Sequence, residues 1–281
     1  EQSWSYRFQA GSVKTLVYFF VLLAVLLSSL VGAYFSVRRW QAEAMFIDAV
    51  NTSNIAVVAS DVVEKRDNVV NGIYAAVVAN PYEVRYFRAL SQVLFAKLND
   101  IFTEVQKRDA SVRQLKPEES VVVQNLTIRN INAIQRAVAL DPANVSVYID
   151  AGEAYRGLVP LVQGADDLAI QSYEKASELE PINPFIKTQL GQLYLIKSNL
   201  FNSSVGGGEE VSKEFVDMAR STLEKALELN PNYANAGYFL SLIYDADGRK
   251  PEALQIFLAL ERDNPDNKLI DQIVQNLQNG L

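Results

Sequence analysis

Three segments of the chain share one pattern of residue types. Residues 137–155 read AVALDPANVSVYIDAGEAY, residues 176–194 read ASELEPINPFIKTQLGQLY, and residues 226–244 read ALELNPNYANAGYFLSLIY. In each segment an alanine is followed by a proline five residues later, by Gly or Ser ten residues after the proline, and by Tyr three residues further on. A recurring unit of this kind predicts a stack of similar structures, because each unit buries its apolar side on its neighbour.

The residue types in the pattern are those that a pair of packed helices needs. Proline is not tolerated inside a helix, so Pro142 predicts a turn between two helices. The helix before the turn is called helix B here, and the helix after it is called helix A. The small residue that follows, Gly152 in this copy, lets the two helices cross closely. Tyr155 lies one turn later and is expected to fill the space between neighbouring pairs. A weaker fourth copy contains Ala76, Pro81, Ser91 and Leu94.

The repeated pattern resembles that of the tetratricopeptide repeat family, in which two antiparallel helices occupy about 34 residues. The resemblance implies an all-α fold, an α-solenoid of helix pairs. It also implies a scaffold for protein–protein interaction rather than an enzyme. In this family a protein or peptide partner usually lies in the concave groove that the A helices line.

A long apolar segment precedes the repeats. Residues 15–37 carry no charge, and twenty helical residues rise about 30 Å, the thickness of the hydrocarbon layer. Trp40 and the pair Arg38 and Arg39 follow the segment, as is typical of the interface end of a span. We therefore expect a transmembrane helix over residues 15–38 that contacts the lipid bilayer. A buried core helix and a signal peptide cleaved after Val31-Gly32-Ala33 are the alternatives.

Spacing between the prolines divides the rest of the chain. We expect an N-terminal flank over residues 1–14, degenerate repeat-like helices over 39–136, clear units over 137–265 and a capping helix over 266–281. The proline spacings of 39, 50 and 34 residues predict inserted loops near 158–167 and 198–214. A polar break is expected at residues 51–54, followed by a helix over 55–79, and another helix is expected over 118–140.

Composition limits the chemistry available. The chain has no Cys and no His, which excludes disulfides, thiolate and Ser-His-Asp catalysis, and the usual zinc ligands. Its net charge of −7 gives no basic surface for nucleic acid, and we expect no cofactor. The acidic pairs Asp166-Asp167 and Glu209-Glu210 fall in the expected loops, where solvation is a better interpretation than catalysis.

The family resemblance also assigns positions to the partner groove. Arg85 and Arg88 share a helix face and could grip an acidic peptide or a lipid headgroup, although a salt-bridged surface pair is the alternative. The Lys, Arg and Asn clamp that some family members use for a peptide carboxylate is not reproduced. The groove positions are Arg85, Arg88, Gln92, Ser146, Ile149, Glu153, Arg156, Phe185, Thr188, Gln192, Asn235, Tyr238 and Asp245.

A finer resemblance concerns residues 151–166, AGEAYRGLVPLVQGAD. This stretch is similar to the repeat tails that follow polytopic O-antigen-ligase-like membrane proteins in some bacteria. Three functions are therefore open: a membrane-anchored scaffold, the accessory domain of a larger glycan transferase, and a structural protein that assembles into homo-oligomers. The sequence does not predict the side of the membrane on which the repeats lie.

Overall fold

The computed structural model describes residues 13–56, 62–109, 114–203, 209–263 and 265–279. These residues form eleven α-helices and no β-strand, which confirms the all-α prediction. The helices are α1 Val13–Ala56, α2 Val62–Ala79, α3 Val84–Gln106, α4 Pro117–Leu140, α5 Val145–Leu158, α6 Ala165–Leu179, α7 Pro184–Ser203, α8 Glu209–Leu229, α9 Ala234–Ala246, α10 Lys250–Asp263 and α11 Lys268–Asn279.

The chain divides into two compact units, residues 1–93 and 94–281. In the first unit the later part of α1 packs against α2, where Ala42 and Ala49 are buried. The two helices cross closely, since a Cβ atom added to Gly72 would lie 2.9 Å from the Cβ of Ala49.

The expected polar break at residues 51–54 is wrong, because α1 is helical through Ala56. The Thr52 hydroxyl donates to the carbonyl of Asp48 one turn earlier, a bond that leaves the helical backbone intact. The predicted helix over 55–79 is α2 from Val62 onward, and residues 57–61 lie outside the described residues.

Among the described residues, none buries the apolar part of α1. Its large side chains between Val13 and Trp40 are exposed, so this segment is not the core helix that was the first alternative. By length and composition, α1 is the one helix among the described residues that can cross a membrane. A signal sequence near the N-terminus has the same features.

The second unit contains the helix pairs that the repeats predict: α5 with α6, α7 with α8, and α9 with α10. A Cβ atom at Gly152 would meet the ring of Tyr173 at 2.4 Å, and one at Gly191 would meet Leu223 at 2.7 Å. These distances confirm for two of the three copies that the small residue allows close crossing of helices A and B. On α11, the side chains of Ile270, Val274 and Leu277 join the same hydrophobic core.

Local sequence explains how several helices begin. Pro117 starts α4, and the side chain of Glu119 accepts a hydrogen bond from the backbone of Lys116, which completes a capping arrangement. Asn144 caps α5 through the backbone N–H of Ser146.

The inserted segments differ from the loops that the sequence predicts. A true loop covers residues 159–164 and ends at Gly164, whose φ of 80° favours glycine. Around residues 198–214, however, α7 continues through Ser203 and α8 begins at Glu209, so most of this insertion lengthens a helix pair. Residues 204–208 lie outside the described residues.

Candidate functional site

Three A helices of the second unit form the surface on which the sequence places the partner groove. These are α5, α7 and α9, and α7 contacts α9 directly as well as the B helices on either side of it. Their partners α4, α6, α8 and α10 form the other layer. In solenoids the layer of A helices presents a long continuous surface, which suits an extended ligand.

Arg156 joins two of these helices. Its Nη1 atom donates to the Oε1 atoms of Gln189, at 2.6 Å, and Gln192, at 3.2 Å, so that a side chain of α5 is held by two side chains of α7. Two predicted groove residues, Arg156 and Gln192, are thus brought together. Gln189 was missed, although it lies three residues before Gln192 and therefore on the same helix face.

Acidic and amide groups are exposed on the same A helices. Glu153 is exposed one turn before Arg156 on α5, and Asn235 and Asp245 are exposed on α9. Ser146 is half-buried, and its backbone N–H is already bonded to the cap of α5. The surface offers both charge signs and several amide donors, which suits polar contacts to a peptide backbone.

The apolar members of the predicted set belong partly to the core. Ile149, Phe185 and Tyr238 are partly buried and pack against the hydrophobic core of the repeats. The Thr188 side chain is completely buried and donates to the carbonyl oxygen of Pro184 at 2.8 Å. Thr188 is therefore not accessible to a partner, which corrects its assignment to the groove.

The remaining predicted residues lie in the first unit. Arg85 donates to Glu83 at 3.0 Å and to Glu43 at 3.1 Å, so the salt-bridged alternative is confirmed for this residue. The hydrogen bond to Arg85 lowers the pKa of the Glu83 carboxyl. Arg88 is half-buried and Gln92 is exposed.

The acidic pair Asp166-Asp167 lies in the first turn of α6, not in a loop as expected. Both carboxylates contact the ammonium group of Lys197 on α7, which lies 3.0 Å from Asp166 Oδ2. The Lys197 side chain is only 10% exposed, and its Nζ atom is 5.3 Å from the centre of the Phe215 ring. A buried cation and two acids that share a helix end indicate a structural cluster rather than a catalytic pair.

Two surface cavities lie away from the predicted groove, and neither is lined by its residues. One, of about 700 Å³, follows a mixed-charge face of α8 beside Tyr194. The other, of about 400 Å³, lies between α4 and α6 over Tyr148 and Tyr155. Both are open to solvent.

Comparison with known proteins agrees with this architecture. Residues 216–277 match the family model for the tetratricopeptide repeat. The matched residues include α9, α10 and most of α8 and α11. No curated protein sequence is significantly similar to the chain.

Several solved structures have a similar fold. The pilF protein of Pseudomonas aeruginosa is 14% identical, with a TM-score of 0.50 over 80% of this chain and 77% of that chain. TTC0263, a thermophilic tetratricopeptide repeat protein of Thermus thermophilus, is 16% identical, with a TM-score of 0.49 over 82% of this chain and 98% of that chain. YrrB, described as a tetratricopeptide repeat protein with an unusual peptide-binding site, is 16% identical, with a TM-score of 0.46 over 81% of this chain and 92% of that chain.

At these identities the likeness to solved structures concerns the fold alone. The family match shows a tetratricopeptide repeat over residues 216–277, and the other helix pairs of the second unit carry the same residue pattern.

Proposed function

We propose that this protein is a membrane-anchored scaffold that binds a protein or peptide partner on the surface of α5, α7 and α9. The tetratricopeptide repeat fold is consistent with a scaffold for protein–protein interaction. The observation that carries the proposal is the continuity of α1. One helix has an exposed apolar segment and then, without a break, packs as a repeat helix against α2.

Anchoring follows from the cost of leaving such a segment in water. The exposed apolar run of α1 is about as long as a bilayer is thick, and at about 25 cal/mol per Å² its transfer into lipid is strongly favourable. A helix also satisfies its own backbone hydrogen bonds, which a lipid environment requires. No other described element covers this surface.

The anchor can be tested by fractionation of cells that produce the full chain. We expect the protein to stay with the membranes in alkaline carbonate and to be extracted by detergent. Its intact mass should include residues 15–38. A mature mass that lacks these residues would show that the segment is a cleaved signal sequence and would end the anchoring part of the proposal.

The partner surface can be tested with a photo-crosslinking amino acid placed at single exposed positions. Positions Glu153 and Asn235 lie on the A helices, and position Glu178 lies on the B helix α6. We expect a discrete partner adduct from the first two positions and none from the third. Equal labelling from all three would argue against a partner surface on the A helices.

A charge reversal gives a second test of the same surface. The R156E variant reverses the charge at the centre of the cluster and breaks its bonds to Gln189 and Gln192. R136E makes the same charge change at an exposed position of the B helix α4. We expect R156E, and not R136E, to abolish the adducts. The same result from both variants would show a general charge effect.

A second candidate is the accessory domain of a larger O-antigen-ligase-like glycan transferase. The similarity of residues 151–166 to the repeat tails of such proteins supports it, as does a span that leads directly into the repeats. The complete open reading frame tests this candidate. Several further apolar spans encoded before Glu1 would favour the transferase over the single-span scaffold.

A further inference from the structure

Two large aromatic side chains are largely exposed near the point where α1 ceases to be apolar. Trp40 is 72% exposed on α1, and Tyr82 is 74% exposed in the turn between α2 and α3. Both residues belong to the first compact unit. Each therefore leaves most of a large ring with an apolar body and a polar tip uncovered by the protein.

The register of α1 against α2 places these residues at similar depth. The helices cross where Gly72 approaches Ala49. Ala79 on α2 and Ala42 on α1 each lie seven residues from that crossing. Seven residues correspond to about 10 Å along a helix axis. Since the two helices are antiparallel, the end of α2 is level with Ala42, and the turn after it is level with Arg39 and Trp40.

Contacts at the start of α3 fix this turn against α1. The Tyr86 hydroxyl donates to Glu43 Oε2 at 2.8 Å, and its ring lies 4.7 Å from that of Phe46. Arg85 bridges Glu43 and Glu83, and its guanidinium lies 6.0 Å from the centre of the Phe46 ring. Tyr86 is itself completely buried. The turn is therefore a fixed part of the first unit.

Charge places the same turn next to the end of the apolar run. The pKa of Glu83 is lowered first by the hydrogen bond from Arg85 and, to a smaller extent, by the charge of Arg39. Arg38 lies over the ring of Tyr34, 5.8 Å from its centre. Cationic and aromatic side chains thus meet at the level where α1 acquires its first charges, a composition that the headgroup region of a bilayer accommodates.

We propose that the α2–α3 turn, with Tyr82 at its tip, is a second membrane contact that rests in the headgroup region beside the exit of α1. This inference depends on the membrane anchor proposed above. The turn positions the first helix pair on the bilayer surface by inserting an amphipathic ring at the interface. Tyr82 gains an environment for both its apolar ring and its hydroxyl there, which water alone does not provide.

The test uses tryptophan fluorescence of the full chain in phosphatidylcholine vesicles whose lipids are brominated close to the glycerol backbone. Trp4 and Trp40 are the two native tryptophans, so W4F/W40F removes the background. Into it we would place Y82W, Y34W inside the span, or Y74W two helical turns earlier on α2. Tyr74 is 50% exposed and lies about 12 Å farther along α2 from the membrane, which makes Y74W the matched control.

We expect brominated lipid to quench Y82W and Y34W and to shift their emission to shorter wavelength, with Y74W much less affected. The W4F variant, which keeps Trp40, should behave like Y82W. Quenching of Y34W without quenching of Y82W would overturn the second contact and leave the anchor standing. Absence of quenching in Y34W would overturn the anchor and the contact together. Equal quenching of Y82W and Y74W would show that α2 lies along the bilayer, which also contradicts the proposed placement.

Discussion

The hydroxyl of Tyr244 donates a 2.8 Å hydrogen bond to Glu224, twenty residues earlier in the chain. Tyr194 makes the same bond to Glu174 at the same sequence separation, at 3.2 Å. In each case the tyrosine of a helix A binds the helix B of the preceding repeat. The bond recurs because the repeat geometry recurs, and it joins one helix pair to the next.

We expect Y244F to lower the free energy of unfolding by about 1.5–3 kcal/mol, the usual net contribution of a hydrogen bond to a charged group. The phenyl ring keeps the packing, so the loss comes from the hydroxyl's bonds, to Glu224 on the preceding repeat and to Arg249. Y194F should cost less, because its bond to Glu174 is longer. Urea unfolding of the full chain in detergent, followed by far-UV circular dichroism, measures both. A Y244F variant as stable as the native protein would show that the bond does not join the repeats.

Two helical glycines provide a matched test of close helix crossing. In G152A, the new Cβ atom would lie 2.4 Å from the Tyr173 ring, which is completely buried and has no space to move. We expect a loss of about 1–3 kcal/mol, the usual cost of an overpacked core. In G237A, the nearest atom is at 3.2 Å, on Ile256, and the gain in helix propensity of about 1 kcal/mol offsets the contact. Thermal unfolding should separate the two variants, and equal stability would contradict this account of Gly152.

We expect replacement of the buried cation Lys197 to lower the stability of the protein. K197M leaves the Asp166 carboxylate, only 15% exposed, without its cation, and breaking such a buried pair costs about 3 kcal/mol. K187M is the control, because Lys187 is half-buried and donates to the neutral hydroxyl of Ser177. We expect K187M to lose less than K197M by the same unfolding measurement, because no carboxylate is left without its cation. If both variants lost the same amount, the ion pairs of Lys197 would have no special part in stability.

The Lys197 cluster also predicts a response to alkaline pH. Burial tends to lower the pKa of Lys197, but the hydrogen bonds to Asp167 and Asp166 outweigh it and raise the pKa above its usual value. A raised lysine pKa means that its contribution is complete below about pH 10.4 and is lost as the pH rises through the folded-state value. The stability difference between native protein and K197M should therefore shrink only above that pH. A difference that shrinks between pH 7 and 9 would contradict the assignment.

The connection between α3 and α4 should respond to acid. Arg108 donates to the Glu119 carboxylate and, at 3.0 Å, to the carbonyl of Gln114, and its hydrogen bond lowers the pKa of Glu119 to about 2. A lowered carboxyl pKa gives stability that is present above pH 4.5 and lost as the pH falls towards 2. The melting temperatures of native protein and E119Q should differ at neutral pH and converge over this range. Melting temperatures that already coincide at pH 6 would show that the pair adds nothing.

The helix pairs of this protein could be predicted from sequence because each residue of the repeated pattern acts on the backbone close to it. Proline ends helices wherever it stands, and a glycine or alanine at a crossing is required by the approach of two backbones. For this reason the bounds of α4 and the crossing at Gly152 agree with the prediction. The apolar character of α1 was equally clear, since a run of twenty uncharged residues needs no partner to identify it.

Other features depended on contacts between residues distant in sequence. The polar residues 51–54 favour a helix end, yet α1 continues through them to Ala56. The sequence predicts that Asp166-Asp167 is a solvated pair. In the structure Lys197, about thirty residues later in the chain, contacts both carboxylates. The rotation of α7 against its neighbours places Gln189 on the candidate surface and buries Thr188, and the sequence alone does not determine that rotation.

Sequence by itself therefore determined the repeats, the helix pairs and the apolar segment, since periodicity and backbone restrictions act within a few residues. Tertiary structure decided which face each helix presents, which charges are paired, and that the apolar segment and the helix packed against α2 are one element. These outcomes depend on how helices rotate and align when they pack, and short-range patterns leave that choice open.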